Sequence, residues 1–140
     1  MQEALVTFKT AKLAKEKGFN WKCRGKIHCS HYHLVKDNII PSNVPTSSAE
    51  MFAPLIDWNN HLKPKLDTET SLPTQSLLQK WLREIYDIDV IINTYRSQGH
   101  KWYKFFISER HKDVVKSIEL YQSYEEALEI GLQEALKLLQ

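Results

Sequence analysis

A chain of 140 residues with 42% hydrophobic side chains can build one core of ordinary size and is too apolar for a disordered tail. No apolar run approaches the roughly 18 residues that span a bilayer, and lysines interrupt residues 1–20 where a signal peptide needs its apolar centre. A cytoplasmic protein without a membrane partner is therefore expected. The net charge of +2 hides an asymmetry, since residues 1–36 hold eight Lys/Arg against Glu3 and Glu16 while residues 123–140 hold four Glu against Lys137.

In chain order, residues 3–17 read as a first helix. Ala4, Leu5, Phe8, Ala11, Leu13 and Ala14 make its apolar side, and Lys9, Lys12, Lys15 and Lys17 spread over the rest. Gly18 is its stop, because glycine takes the left-handed conformation cheaply. The lysines offer a basic surface to nucleic acid or an acidic partner, and they serve equally as a solvated helix face.

Residues 19–33 carry the densest set of chemically able groups: Cys23, His28, Cys29, His31 and His33. Thiolate and imidazole bind zinc, but the compact zinc motifs use two short-spaced pairs, whereas these cysteines are six apart and the histidines alternate. Alternation over residues 27–35 favours a strand with Cys29, His31 and His33 on one face, and no metal is assigned. Without an export signal, free thiols are expected at both cysteines.

Residues 36–71 contain Pro41, Pro45, Pro54 and Pro64 and a Ser/Thr cluster at residues 46–48, the mark of irregular polypeptide. Met51, Phe52, Leu55, Ile56, Trp58 and Leu62 are too apolar to sit together in water, so part of this loop is expected to pack as an ordered segment. Trp58 reads as an anchor before it reads as a ligand platform.

The next unit is the clearest. Thr74 is placed to cap a helix beginning near Gln75, with Leu77, Leu78, Trp81, Leu82 and Ile85 facing the core. Gln75, Gln79, Lys80, Arg83 and Glu84 fall on the wet side. After Asp87 the period changes to two, giving a strand through Ile88, Val90 and Ile92. A polar turn at residues 96–100 leads to a second strand over residues 101–108, with Tyr103, Phe105 and Ile107 on one side and Trp102, Lys104 and Phe106 on the other. A third strand is expected over residues 114–121. Ser123 and Glu126 form a capping box for a last helix, whose face is Tyr124, Leu128, Gly131, Leu132, Ala135 and Leu139. Gly131 costs stability within a helix, which points to close approach of a neighbour.

The fold expected is α+β: a single domain, 1–140, in which residues 72–140 make an α-β-β-β-α core. In that core a three-stranded antiparallel meander carries its helices on one face. An N-terminal helix, a short strand region and a proline-rich loop precede it over residues 1–71.

The layout of residues 74–140 is similar to the double-stranded-RNA-binding domain, down to the Gly99-His100 turn. That family grips duplex RNA with lysines at the start of its second helix, but Ser123, Tyr124, Glu125 and Glu126 stand there in this chain, and carboxylates repel phosphate. At the level of residues, AKLAKEKGF (11–19), PTQSLLQKWLRE (73–84) and SYEEALEIGLQEAL (123–136) resemble a family of short proteins from phages and prophages of Bacteroides and relatives. These motifs cover about a quarter of the chain. The resemblance implies a protein at work in the cytoplasm of a host bacterium and assigns no chemistry.

An enzyme is not indicated. There is no glycine-rich phosphate loop, nucleophile elbow or paired-histidine metal motif, and the acids Asp57, Asp67, Glu84 and Asp87 form no pair by spacing. The expectation is a non-catalytic accessory protein without a cofactor, binding a host or phage macromolecule, with protein placed ahead of nucleic acid and self-association open. One alternative is a nucleic-acid-binding protein using the basic N-terminal half and the open sheet face, where interleaved aromatic and basic residues stack bases and neutralise phosphates. Another is a small enzyme or zinc-stabilised module. The candidate binding residues are Lys9, Lys12, Lys15, Lys80, Arg83, Lys101, Trp102 and Lys104. Trp102 and Phe106 carry a competing expectation, that residues 1–70 fold back over their face as a second core layer.

Overall fold

A helix begins where some acceptor takes up its first free backbone N–H groups, and in this chain those acceptors are both local and distant. The computed structural model describes residues 3–28, 55–57, 59–60, 69–110 and 112–139. The chain divides into two units, Leu5–Thr74 and residues 1–4 together with 75–140.

In the Leu5–Thr74 unit, helix α1 spans Phe8–Glu16, and the Thr7 hydroxyl caps it by accepting from the Thr10 N–H. The helix starts five residues later than its apolar pattern predicts. Leu5 is instead bridged to Thr74, and the Val6 N–H donates to the Pro73 carbonyl at 3.0 Å. Extended pairing with a segment nearly seventy residues away thus overrides a local helical pattern. The buried side of α1 is Phe8, Thr10, Ala11 and Ala14. Gly18, at φ +91°, ends the helix as expected.

Two short strands, β1 (Lys26–His28) and β2 (Glu69–Ser71), pair antiparallel with Lys26 opposite Ser71. Cys23 and Ile56 exchange backbone hydrogen bonds of 3.0 and 3.2 Å. The buried Asn59 amide ties the unit together, donating to the Phe19 carbonyl at 2.9 Å and accepting from the Ser71 N–H at 2.8 Å. Gly25 is required by proximity rather than by its dihedral angles: a Cβ there would collide with the Leu72 carbonyl oxygen, while the Leu72 N–H donates to Gly25 at 2.8 Å. The rest of the strand expected over residues 27–35, the proline-bearing segment with Met51 and Phe52, and Trp58, Leu62 and Asp67 lie outside the described residues.

In the other unit, helix α2 (Gln75–Tyr86) has its first N–H taken by the Ala4 carbonyl at 2.8 Å. Leu78, Trp81 and Leu82 are buried as the periodicity requires. Two positions depart from it. Gln75, expected on the wet side, is buried, because its amide donates to the Glu125 carbonyl at 2.9 Å and to Glu129 Oε1 at 3.0 Å. Ile85, expected in the core, is 54% exposed, and the rest of the last turn of α2, from Arg83 to Tyr86, is exposed with it.

Asp87 alone makes the link to the sheet. Its positive φ of 55°, tolerated by Asp better than by most residues, reverses the chain, with its N–H on the Arg83 carbonyl and its own carbonyl accepting from Arg110. The sheet is β3 (Ile88–Ser97), β4 (His100–Glu109) and β5 (Lys112–Lys116) in an antiparallel meander. Gln98 and Gly99 form the whole β3–β4 turn, and positive φ at both is the signature of a type I′ hairpin. The turn is thus two residues long, shorter than the five expected, and both strands continue into the segment read as polar turn.

β5 is shorter than the strand expected over residues 114–121. A bulge between Ile107 and Ser108 leaves Val114 44% exposed, and the Ser117 hydroxyl accepts from the Phe105 N–H at 3.1 Å in place of a backbone carbonyl. The chain then loops out, with Ile118 almost fully exposed, and rejoins at the Tyr103–Tyr121 bridge.

Helix α3 (Tyr124–Lys137) starts at the Ser123 cap, whose hydroxyl accepts from the Glu126 N–H at 3.1 Å. Its buried residues Ala127, Leu128, Leu132, Ala135 and Leu136 share the core with Ile88, Val90, Phe105 and Ile107. The fold is thus α+β, with α2 and α3 on one face of the meander. A Cβ at Gly131 would lie 2.8 Å from a Val90 methyl and 3.1 Å from Phe105 Cβ, so the glycine marks the closest approach of α3 to the sheet. Gly131→Ala gains about 1 kcal/mol of helix propensity but overpacks this contact at a cost of about 1–3 kcal/mol. A net loss of stability is expected in urea titration, where a surface helical Gly→Ala would instead stabilise.

Candidate binding face of the sheet

Antiparallel register decides which side chains share a face, because residues directly opposite project to the same side. Val90 opposes Ile107 and Ile92 opposes Phe105, which defines the side packed on α2 and α3. The other side carries Ile91 with Phe106, Asn93 with Lys104, Tyr95 with Trp102 and, next to the turn, Ser97 with His100. Lys116 on β5 is registered with Phe106 and joins this side.

This face is open. Ile91 is 45% and Tyr95 48% exposed, and Trp102 and Phe106 are half-buried. About half of the segment expected to cover it, residues 1–70, lies outside the described residues, among them 29–54 and 61–68. Lys104 Nζ sits 5.2 Å from the Tyr95 ring centroid, a diagonal cross-strand cation–π pair, and the His100 and Trp102 rings are 6.2 Å apart. Tyr95, Trp102, His100 and Lys104 thus form one cluster at the hairpin end.

The charge around the cluster is one-signed. Residues 90–108 contain Arg96, Lys101 and Lys104 and no Asp or Glu. An acidic residue enters the face at the other end, where Asp89 is registered with Ser108.

Among the eight binding residues expected from sequence, only Trp102 and Lys104 share this face. Lys101 projects from the helix-packed side, beyond the helices, with its Nζ 5.5 Å from the Tyr103 ring. Lys80 and Arg83 are exposed on α2, where Lys80 lies 3.8 Å from Glu84. Lys9, Lys12 and Lys15 lie on α1 in the Leu5–Thr74 unit, the first two exposed. Ile91, Asn93, Tyr95, His100 and Lys116 are not among the expected binding residues. Alternation along β3 and β4 groups the first four, the two-residue turn sets their cross-strand partners, and the β4–β5 register adds Lys116.

The zinc candidates give a different picture. Cys23 is a buried free thiol whose Sγ donates to the Gly25 carbonyl at 3.3 Å. Burial pushes its pKa up from 9.0 to about 11, although the Ser71 hydroxyl and nearby backbone groups pull the other way. This environment favours the protonated thiol over the thiolate a metal requires. The His28 side chain, Cys29, His31 and His33 lie outside the described residues, and among the described residues no three His, Cys, Asp or Glu side chains gather as metal ligands.

The raised pKa carries a stability consequence. The folded state holds the Cys23 proton more tightly than the unfolded chain, so this contribution is complete below about pH 9 and is lost as the pH rises to about 11. Two pKa units correspond to about 3 kcal/mol. Cys23→Ala is expected to flatten the fall in stability between pH 9 and 11 relative to wild type, read by urea titration at each pH.

Of the acids considered for catalysis, Asp57 accepts from the Asn59 N–H at 3.2 Å and the Asn60 amide at 2.9 Å, an Asx turn, while Glu84 neighbours Lys80 and Asp87 forms the α2–β3 link. No family model, curated protein or solved structure matches the chain. Among the described residues no helix is long and apolar enough to cross a membrane.

Proposed function

We propose that this protein is a non-catalytic accessory protein of a phage or mobile element, and that it binds a macromolecule through the open β3–β4 face. The observation that supports this reading most is the set Tyr95, Trp102, Lys104 and Phe106 on one partly exposed side of the β3–β4 hairpin. Aromatic side chains held half-exposed on a strand lose little conformational freedom on binding and offer large contact areas. The type I′ turn and the ten-residue strands preset their spacing. The resemblance of residues 11–19, 73–84 and 123–136 to phage and prophage proteins supports the provenance, and the lack of a catalytic motif supports a binding role.

The test is capture from a Bacteroides lysate with wild-type protein and with a Tyr95→Ala/Trp102→Leu/Lys104→Met variant, the captured protein and nucleic acid being identified separately. A macromolecule retained by the wild type and released by a variant of unchanged melting temperature is the expected result. Equal retention by both would contradict the reading.

A further inference from the structure

We infer that the occupant of this face is single-stranded nucleic acid, a conclusion that rests on the binding role proposed for the β3–β4 hairpin. A single strand presents unpaired bases, each with two flat π faces, and one negative charge per nucleotide, so the surface that suits it interleaves flat aromatic rings with cations. The open face has this composition at its hairpin end. Tyr95 and Trp102 stand directly opposite on adjacent strands, Lys104 lies on the diagonal against the Tyr95 ring, and His100 lies one step along the strand from Trp102.

Further cations lie nearby in the hairpin and on β5. Arg96 and Lys101 oppose each other on the other side of the same strand ends, and Lys116 stands beside Phe106. A strand crossing the open face at the hairpin end meets Lys104 beside the aromatic pair, with Lys116 further along next to Phe106. No carboxylate occurs anywhere in residues 90–108 to oppose it. The cluster's hydrogen-bonding groups are the Tyr95 hydroxyl, Asn93, His100, the Lys104 ammonium and the indole N–H, so an acidic protein surface is the competing occupant that the test separates.

Duplex fits the face less well, because its bases are stacked inside and unavailable to the rings. The carboxylates Glu125 and Glu126 in the first turn of α3 also remove the lysine contacts that a double-stranded-RNA-binding layout would use. The hairpin thus offers stacking on a sheet in place of groove recognition by a helix.

Fluorescence anisotropy of labelled mixed-sequence 15-nucleotide DNA and RNA, with the matching duplexes, tests this on the full chain at 50 mM salt. Both single strands are expected to bind more tightly than either duplex, and the ratio of the two separates an RNA from a DNA ligand. Trp102→Leu keeps apolar volume but removes the π face, and is expected to weaken binding by about 5- to 150-fold. Trp102→Phe, which restores a ring, should recover most of it. Lys104→Met should lower the slope of log affinity against log salt by about 0.7 for each phosphate that Lys104 neutralises.

Absence of single-strand binding at 50 mM salt, or a Trp102→Leu affinity equal to wild type beside an unchanged melting temperature, would overturn the inference. If oligonucleotides fail while the lysate still yields a protein whose capture depends on the face, the nucleic-acid assignment falls and the binding role stands. If capture is indifferent to the face, the binding role falls with it.

Discussion

Replacing Trp81 by alanine is expected to remove about 3–5 kcal/mol of stability from the helix–sheet unit, the largest loss for any single core truncation in it. Trp81 is 1% exposed and stands in the middle of the buried stripe of α2, between Leu78 and Leu82. Its ring meets Tyr86 edge-on, with centroids 5.1 Å apart and planes at 73°, a geometry that adds to simple burial. Helix α2 packs on both β3 and α3, and α3 is held close to the sheet at Gly131, which limits collapse into the volume the indole leaves. Urea unfolding followed by far-ultraviolet circular dichroism measures the effect, and a loss under about 1 kcal/mol would contradict the assignment of Trp81 to the core. Tyr86→Ala, at the exposed edge of the same pair, should cost much less.

The second large effect is expected at Gly25. An alanine methyl there meets the Leu72 carbonyl oxygen, which belongs to the backbone and cannot rotate away. Relief requires the segment holding Gly25 to part from Leu72, breaking the 2.8 Å hydrogen bond from the Leu72 N–H. The bridge of Cys23 to Ile56 and the Asn59 clip on Ser71 lie immediately beside it. A cost of about 3 kcal/mol or more is therefore expected for Gly25→Ala, at the upper end of overpacking effects. Amide hydrogen exchange locates it: protection should fall at Cys23, Ile56 and Leu72 of the Leu5–Thr74 unit. Unchanged protection at those three amides would contradict the steric account.

These two residues also mark what can and cannot be read from the chain. Trp81 is legible because a helix repeats every 3.6 residues, and Leu78, Trp81 and Leu82 keep that period without help from anything distant. The same holds for α3, where Ser123 announces the start and Leu128, Leu132 and Ala135 the buried side. Gly25 is not legible. Its role depends on Leu72, 47 positions on, and no local pattern encodes that approach. Asn59 and Gln75 escape in the same way, as polar residues whose burial is compensated by partners on other segments. The first helix reads too long because Ala4 and Leu5 fit its apolar stripe, while the backbones of Leu5 and Val6 serve Thr74 and Pro73.

For the binding face, alternation in β4 is enough to find Trp102 and Lys104. The partner of Tyr95 requires the register, and the register requires a turn of two residues, where the polar composition of residues 96–100 suggests five. Alternation along β3 gives Tyr95 its face, while a one-residue change in the turn would shift its cross-strand partner, so the pairing of Tyr95 with Trp102 hangs on the two-residue turn at Gln98 and Gly99. The lysines of α1 and α2 stand out by charge alone, and charge without an aromatic partner is the ordinary state of a solvated helix.

The central claim is that ligand contacts the open side of β3 and β4. It is tested most directly by the backbone amide spectrum of ¹⁵N-labelled protein during titration with an unlabelled single-stranded 15-mer. Shifts concentrated at residues 91–97 and 100–106 and at Lys116 are expected, with α2, α3 and α1 left nearly unmoved. Shifts centred on the lysines of α1 or on Lys80 and Arg83 of α2, or no shifts at all at low salt, would contradict it.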